Sequence, residues 1–483
     1  MGHPTESGKK VPTKTKIAFA LGDIFGGGSF NLINFLYPAY AALVVGLNGY
    51  LAGVLMFIAR AWDAVSDPLM GQISDRTSNR RFGKRRIYIL IGAPLVVVAL
   101  VLMFFPWNFQ SEAVRFLAVL VCYMLFSTVQ TMIMIPYYSL SSEITPDYAE
   151  RTKCNTIRLG FSIFSSILCV AVPGMIAKPE NPQSYVTMSL IFGLIFAIPL
   201  LFTALFAKEE IHTPPQKAKV TVKDFVKPLK MKTYRQYLVM HMCVSFTFAV
   251  MSGLFFFLID FVVKADVTAA GKNSMLGTLA AGVMLVTQIF ALPFYQWLMK
   301  KKGKTFAYRF GAILWMAAAL CILFVGNGTP DWCIYLLAVC MGFGICGPNL
   351  VPHTMFGDVA DAGQLFFGER TEGAFTGLQH FINKVAQAVG MFLIMAVIAA
   401  FGFVSKDLSA GIIPTTQPER AQWAIKIVMA AAPIVVMSVG IALSLRYRVG
   451  EKKQKEILAL IEAKDSLSAE ELQQKKAEVL KDL

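Results

Sequence analysis

Apolar positions run through the chain in long continuous blocks, broken by short polar turns. Residues 87–106, 185–207 and 310–330 carry no charged side chain, and each is about the roughly 20 residues a helix needs to cross a bilayer core. A spanning segment must satisfy its own backbone, so it is a helix or part of a closed barrel. These runs are too long and too evenly apolar for the alternating strands of a barrel. The pattern predicts twelve spanning helices, near residues 17–45, 50–75, 87–107, 115–140, 154–177, 185–207, 236–263, 273–299, 305–326, 332–355, 372–402 and 422–446.

The polar intervals divide the twelve into two sixes. A first segment, 1–16, is polar and basic and is followed by an apolar stretch too long for a signal-peptide core, so it reads as uncleaved. A bundle of six spans covers 17–207, a Pro-containing polar linker 208–235, a second bundle 236–446, and a charged, helix-forming tail 447–483. In the tail, Ser468 and Glu471 have the spacing of a capping box. The halves echo each other: "DPLMGQISDRTSNRRFGKRR" closes the second span and "LPFYQWLMKKKGKTFAYRFG" the eighth. Each gives a proline, an apolar run and a basic turn containing Gly-Lys (Gly83-Lys84 and Gly303-Lys304). The expected fold is all-α and polytopic, twelve helices in two six-helix bundles, which is the architecture of major-facilitator transporters.

Composition sharpens this. The chain is 56% hydrophobic and 16% charged over 483 residues, where a soluble chain carries about a quarter charged. The formal net charge of +15 would suit nucleic acid, but the basic residues crowd into loops that fall on one side of the predicted spans. That is the positive-inside pattern, which puts both termini in the cytoplasm and removes the case for a nucleic-acid partner. The eight cysteines have no CxxC spacing and lie mostly in apolar runs, among them Cys122, Cys169, Cys340 and Cys346. They read as small buried hydrophobes.

Within the second span, "ARAWDAVSDPLMGQISDRT" places Arg60, Asp63 and Asp67 at i, i+3 and i+7, within roughly 60° of arc on a helix. Ionisable groups at this depth cost several kcal/mol or more and usually face a cavity or a partner. An internal ion pair between Arg60 and one aspartate is the structural explanation. It leaves a second carboxylate needing a counter-charge: a bound cation, a proton, or a lysine such as Lys384 in the eleventh span. Two carboxylates with a hydroxyl, for which Thr131 in the fourth span is a candidate, suit a hard cation such as Na⁺. The same carboxylates could instead take up a proton.

These stretches closely resemble the glycoside–pentoside–hexuronide:cation symporters, whose best-known members are the melibiose carriers. The resemblance runs from about Lys16 to Leu445 and includes "ALGDIFGGGSFN", "IPYYSL", "DYAERTKCNTIRLGF" and "FGDVADAGQLFFGERTEGAFTGLQHFINKVAQAVG". It implies a bacterial inner-membrane symporter, working as a monomer without cofactor, that moves a sugar or glycoside with Na⁺ or H⁺. By position, Asp63 and Asp67 match the paired cation-site aspartates, which would be the Na⁺ ligands, and Thr131 the hydroxyl that assists them. Lys384 matches a lysine linking the cation and sugar sites, with Arg60 balancing charge. Arg158 matches an arginine near the sugar, Tyr138 stands where melibiose carriers have a stacking tryptophan, and Gln379 lies one turn before Lys384.

The departures are informative. The two aspartates that hold galactosyl hydroxyls in melibiose carriers are replaced by Gly27 and Met134. Gly26, Gly27 and Gly28 would leave room, or a kink, beside the pocket. Other polar residues could substitute, including Asp23, Asn31, Asn34, His241, Asn349, His353 and His380. With Arg158 and Lys384 present and the two acids absent, the cavity is expected to be basic, favouring an anionic sugar such as a hexuronide. A lysophospholipid, carried by eukaryotic relatives of the family, is the alternative cargo on the same fold. Gly71, Asp75, Arg76, Gly83 and Lys84 match the superfamily's signature loop, expected to act as a conformational latch; Asp358, Asp361, Glu369 and Arg370 would be its counterpart. No HExxH, GxSxG or Walker stretch is present, so neither an enzyme nor ATP drive is expected.

Overall fold

The structure is a computed structural model, and it describes residues 11–77, 82–145, 148–207, 226–263, 270–368, 372–405, 416–462 and 479. The elements are helical throughout: α1 (Thr13–Leu21), α2 (Asp23–Leu43), α3 (Gly49–Arg76), α4 (Arg86–Met103), α5 (Glu112–Glu143), α6 (Tyr148–Ala171), α7 (Pro173–Ile176) and α8 (Gln183–Phe206). They continue with α9 (Lys232–Leu258), α10 (Ala270–Lys302), α11 (Lys304–Cys321), α12 (Asp331–Phe367), α13 (Glu372–Ala400), α14 (Glu419–Arg446) and α15 (Glu451–Glu462). A π-helical turn, Ile259–Val263, extends α9. Among the described residues the only β feature is an isolated bridge between Lys178 and Asn181.

Among the described residues ten helices are long and apolar enough to cross a membrane. The two that complete the expected twelve, α2 and α3, carry the polar side chains described below. The membrane reading is visible in the faces. α4 exposes Ile91, Leu95 and Val98, and α8 exposes Leu190, Leu194 and Ile198. These stripes at i, i+4 spacing have no protein cover, which hydrocarbon tolerates and water would penalise.

Helix ends follow local chemistry. Asn48 caps α3, its Oδ1 accepting from the backbone N–H of Leu51 at 2.9 Å. The two Gly-Lys turns are alike: Gly83 has φ +78° and Gly303 φ +89°, a left-handed conformation that glycine adopts without a Cβ clash. The sequence echo between the halves is therefore also an echo of backbone geometry.

Two compact units emerge. The first takes the described residues up to Ala218 with Phe255–Gly282 and Met391–Gln422; the second takes those of Lys219–Leu254, Val283–Gly390 and Trp423–Leu483. In the first, α2 packs on α6, α4 on α8 and α5, and α3 on α5. In the second, α11 packs on α12, and α15 also docks there. α15 buries Ile457 and Leu460 and donates from Gln454 Nε2 to Asp361 Oδ2 at 2.8 Å. The start of the tail is thus packed rather than solvated, because its apolar stripe finds a protein face. Ser468 and Glu471 lie outside the described residues.

Candidate functional site

On α3, Arg60 and Asp63 are both buried, with Nη1 and Oδ2 3.8 Å apart. Arg60 also donates through Nη2 to Asn34 Oδ1 on α2 at 2.7 Å, and its guanidinium stands 5.6 Å over the Phe30 ring. Asp67, one turn further, accepts from Thr131 Oγ1 on α5 at 2.8 Å. Thr131 Oγ1 is 3.2 Å from Ser66 Oγ. The stripe therefore divides: Asp63 faces a fixed cation, whereas Asp67 faces hydroxyls. Among the described residues no group of three or more His, Cys, Asp and Glu could hold a metal ion. What the stripe offers is two carboxylates and two hydroxyls, a hard-oxygen donor set suited to Na⁺ and poorly suited to a transition metal.

The second group also lies in the first unit. Asp23, buried at the start of α2, has Oδ2 3.9 Å from Arg158 Nε on α6. The guanidinium of Arg158 stands 5.3 Å over the ring of Tyr138, within the range of a cation–π contact. Tyr138 is exposed, and its neighbour Tyr137 is buried with its hydroxyl donating to Phe19 O at 2.8 Å. Thr131 and Tyr138 are seven residues apart on α5, so they share a face roughly 10 Å apart along the axis. One helix carries a hydroxyl of the cation group and the aromatic surface of the second group.

Two expectations change here. Arg158 and Lys384 were expected to leave the cavity basic; for Arg158 the structure supplies a facing carboxylate, Asp23. The glycine triplet was expected to open space; it instead permits close packing on α6. A Cβ on Gly27 would stand 2.3 Å from Ser162 Oγ, and one on Gly28 2.2 Å from Ser165 Oγ. Asn31 turns its amide to its own helix, donating to Gly27 O at 3.1 Å.

In the second unit, His241 on α9 is buried, with Gln379 Nε2 2.9 Å and Asn383 Nδ2 3.2 Å from its Nδ1. His353 on α12 packs edge-on, its ring centroid 5.1 Å away. Gln379 and Asn383 stand at i, i+4 on α13 and reach the same imidazole. His380 is exposed, and Lys384 on the same helix is half-buried. Asn383 is the residue sequence reasoning missed; its spacing from Gln379 was the available signal.

Of the signature loop, Lys84 Nζ lies 3.1 Å and Arg85 Nε 3.2 Å from Glu143 Oε1 at the end of α5, and Arg85 Nη1 donates to Ser74 Oγ at 2.6 Å. Gly71 and Asp75 sit in the last turns of α3, and Arg76, its final residue, is exposed; the Asp75 side chain lies outside what is described. In the second unit Lys304 Nζ reaches Asp358 Oδ2 at 2.5 Å and Thr354 O at 3.0 Å. The two Gly-Lys turns thus do the same thing: each lysine grips an acid near the end of a neighbouring helix. Asp361 is taken by Gln454, and Glu369 and Arg370 fall outside the described residues. Glu143 was not foreseen, and nor was Glu150, which holds Lys16 Nζ at 2.5 Å, Lys153 Nζ at 2.8 Å and the backbone N–H of Val11 at 3.2 Å. Hydrogen bonds from Lys153 and then Lys16 draw the Glu150 carboxyl down to about 2.

The sequence pattern of the MFS/sugar transport proteins matches residues 18–451. The chain belongs to that family. An uncharacterized symporter of Synechocystis is 25% identical, covering 95% of this chain and 98% of that one, and an uncharacterized symporter of Bacillus subtilis is 24% identical over 98% and 100%. A sodium-dependent lysophosphatidylcholine symporter of Danio rerio is 22% identical over 94% and 90%. Among solved structures, a bacterial homologue of the human lysosomal transporter Spinster in an inward-facing, unoccupied conformation has a TM-score of 0.64 at 12% identity, over 91% of this chain and 98% of that one. A nucleoside transporter has a TM-score of 0.61 at 14% identity, over 89% and 98%. These likenesses establish the major-facilitator fold. The protein is a multi-pass membrane secondary transporter, not an enzyme.

Proposed function

We propose that the protein is a symporter that moves a sugar or glycoside with Na⁺ or H⁺ across a bacterial inner membrane, both termini being cytoplasmic. Asp63, Asp67 and Thr131 bind the coupling ion, with Arg60 balancing the charge. Asp23, Arg158 and Tyr138 form one group of substrate-contacting residues, and Gln379 with His241 is a separate group suited to hydroxyls; Lys384 relays ion occupancy. The observation that carries the reading is the α5 face, where Thr131 bonds an ion-site carboxylate and Tyr138, two turns on, presents a ring and an arginine to a ligand. An ion that orders Thr131 orders the same face, so ion and substrate favour each other's binding. Since Asp23 offsets Arg158, a neutral glycoside fits this group better than a hexuronide. The Lys84–Glu143 and Lys304–Asp358 pairs each tie two segments of one unit and serve as that unit's conformational latch.

A second cargo has specific support: relatives that align along nearly the whole chain are sodium-dependent lysophosphatidylcholine symporters. The test is thermal stabilisation of the purified protein by neutral glycosides, hexuronides and lysolipids, each in Na⁺ and in choline at equal ionic strength. A glycoside that stabilises more in Na⁺ supports the first reading with Na⁺ coupling; an ion-indifferent glycoside response points to protons. Stabilisation by lysolipids alone replaces the sugar.

A further inference from the structure

The second unit contains a cavity of about 680 Å³ that has no part in the groups described above. It lies where α9 begins and α14 ends, lined by Lys232, Arg235, Gln236 and Val239 on one side and Leu443, Leu445, Arg446 and Arg448 on the other. Four of its lining residues are cations and none is an acid. Lys232, Arg235 and Arg446 are exposed, and none of the described ion pairs involves them. Like charges such as Lys232, Arg235 and Arg446 gathered around a concavity repel one another, and an anion placed among them relieves that repulsion.

Apart from Gln236 the other lining is apolar (Val239, Leu443 and Leu445), and it continues. Leu445 is 66% exposed, and further along α14 Val439 and Val435 are 49% and 63% exposed. A cationic bowl at the helix ends therefore leads into an uncovered hydrocarbon track along a membrane-spanning helix. A soluble anion would use the bowl and leave the track in water or lipid for no purpose. A molecule with an anionic head and acyl chains uses both, and basic pockets between helix ends at a membrane surface have the chemistry to hold such heads.

We propose that this cavity binds an anionic phospholipid of the adjacent leaflet, its headgroup phosphate among Lys232, Arg235, Arg446 and Arg448 and an acyl chain along Leu445, Val439 and Val435. The guanidinium forks of the three arginines suit bidentate contact with phosphate oxygens. None of the lining residues is among those assigned to ion or substrate, so the site acts as a lipid anchor.

The test uses the full-length protein in zwitterionic nanodiscs. Phosphatidylglycerol is titrated in, and binding is read by native mass spectrometry and by the shift in Tm. Wild type is expected to retain phosphatidylglycerol over phosphatidylcholine. An Arg235→Gln, Arg446→Gln pair should weaken that preference roughly 30-fold, while Arg235→Lys, Arg446→Lys should keep most of it. Glycerol phosphate and inorganic phosphate, which lack chains, should bind far more weakly than the lipid. Equal lipid retention by the glutamine pair, no preference for the anionic lipid, or binding of inorganic phosphate as tight as the lipid would each overturn the proposal. Because neither exposed arginine has an ion-pair partner among the described residues, the glutamine pair should remain folded, which an unchanged melt in pure phosphatidylcholine would verify.

Discussion

The two units keep their interior polar chemistry in opposite forms. In the first, it is ionic: Arg60 with Asp63, Arg158 with Asp23, and Asp67 held by a hydroxyl. In the second, the interior holds a histidine bridged by two side-chain amides, His241 with Gln379 and Asn383. The difference matters because the two forms respond to different things. A carboxylate that accepts from a hydroxyl can exchange that partner for a cation or proton, whereas an amide–imidazole cluster can trade hydrogen bonds with a hydroxylated ligand at little electrostatic cost. On the proposed reading, the first unit senses the ion and the second reads a neutral surface.

The sharpest way to break this contrast is at Asp67. Asp67→Asn keeps a hydrogen-bond acceptor for Thr131 but removes the charge, so stimulation of transport by the coupling ion, of the order of 10–100-fold for couplings of this kind, should vanish in a flux assay on proteoliposomes. Asp63→Asn removes an ion ligand and also the carboxylate beside the buried Arg60, so besides losing ion stimulation its melt should report a loss of about 3 kcal/mol. Next in size is Arg158→Ala, which removes the cation over Tyr138 and should weaken substrate binding roughly tenfold without altering ion affinity measured alone. In the second unit, Gln379→Leu strips one amide from His241. It should cost about 1–3 kcal/mol of stability and reduce substrate affinity while leaving ion stimulation intact; loss of ion stimulation in this variant would erase the distinction between the units.

The smallest effect is at the outer edge of the first unit. The Glu150 carboxyl is depressed from 4.5 to about 2 by its two lysines, so its contribution is complete above about pH 4.5 and is lost as pH falls toward 2. Melts of wild type should fall more steeply through that window than those of Glu150→Gln, and the two curves should converge at the acid end.

The helices were legible because uninterrupted apolar runs of spanning length have few alternatives, and the stripe on α3 because three charges at i, i+3 and i+7 cannot be accidental at that depth. The pairing of Asp23 with Arg158 was not legible. The two are far apart in the chain and no local spacing relates them, so the arginine looked unopposed and the cavity basic. The glycines of α2 misled for a related reason: a missing side chain can mean an opening or a close neighbour, and only the position of Ser162 and Ser165 decides which. Glu143 and Glu150 looked like ordinary acids near helix ends, because their value lies in lysines brought to them by the fold.

The claim that bears most weight is that the carboxylates of α3 exchange an ion in step with substrate. It is tested most directly by loading proteoliposomes with the substrate that stabilises the purified protein and measuring ion movement driven by its efflux, under Na⁺ and under a pH-sensitive dye. Efflux that carries Na⁺ or H⁺ outward in wild type, with substrate exchange continuing but ion movement abolished in Asp67→Asn, is the predicted result. Ion movement that persists in both Asp67→Asn and Asp63→Asn would place the coupling elsewhere and contradict the account.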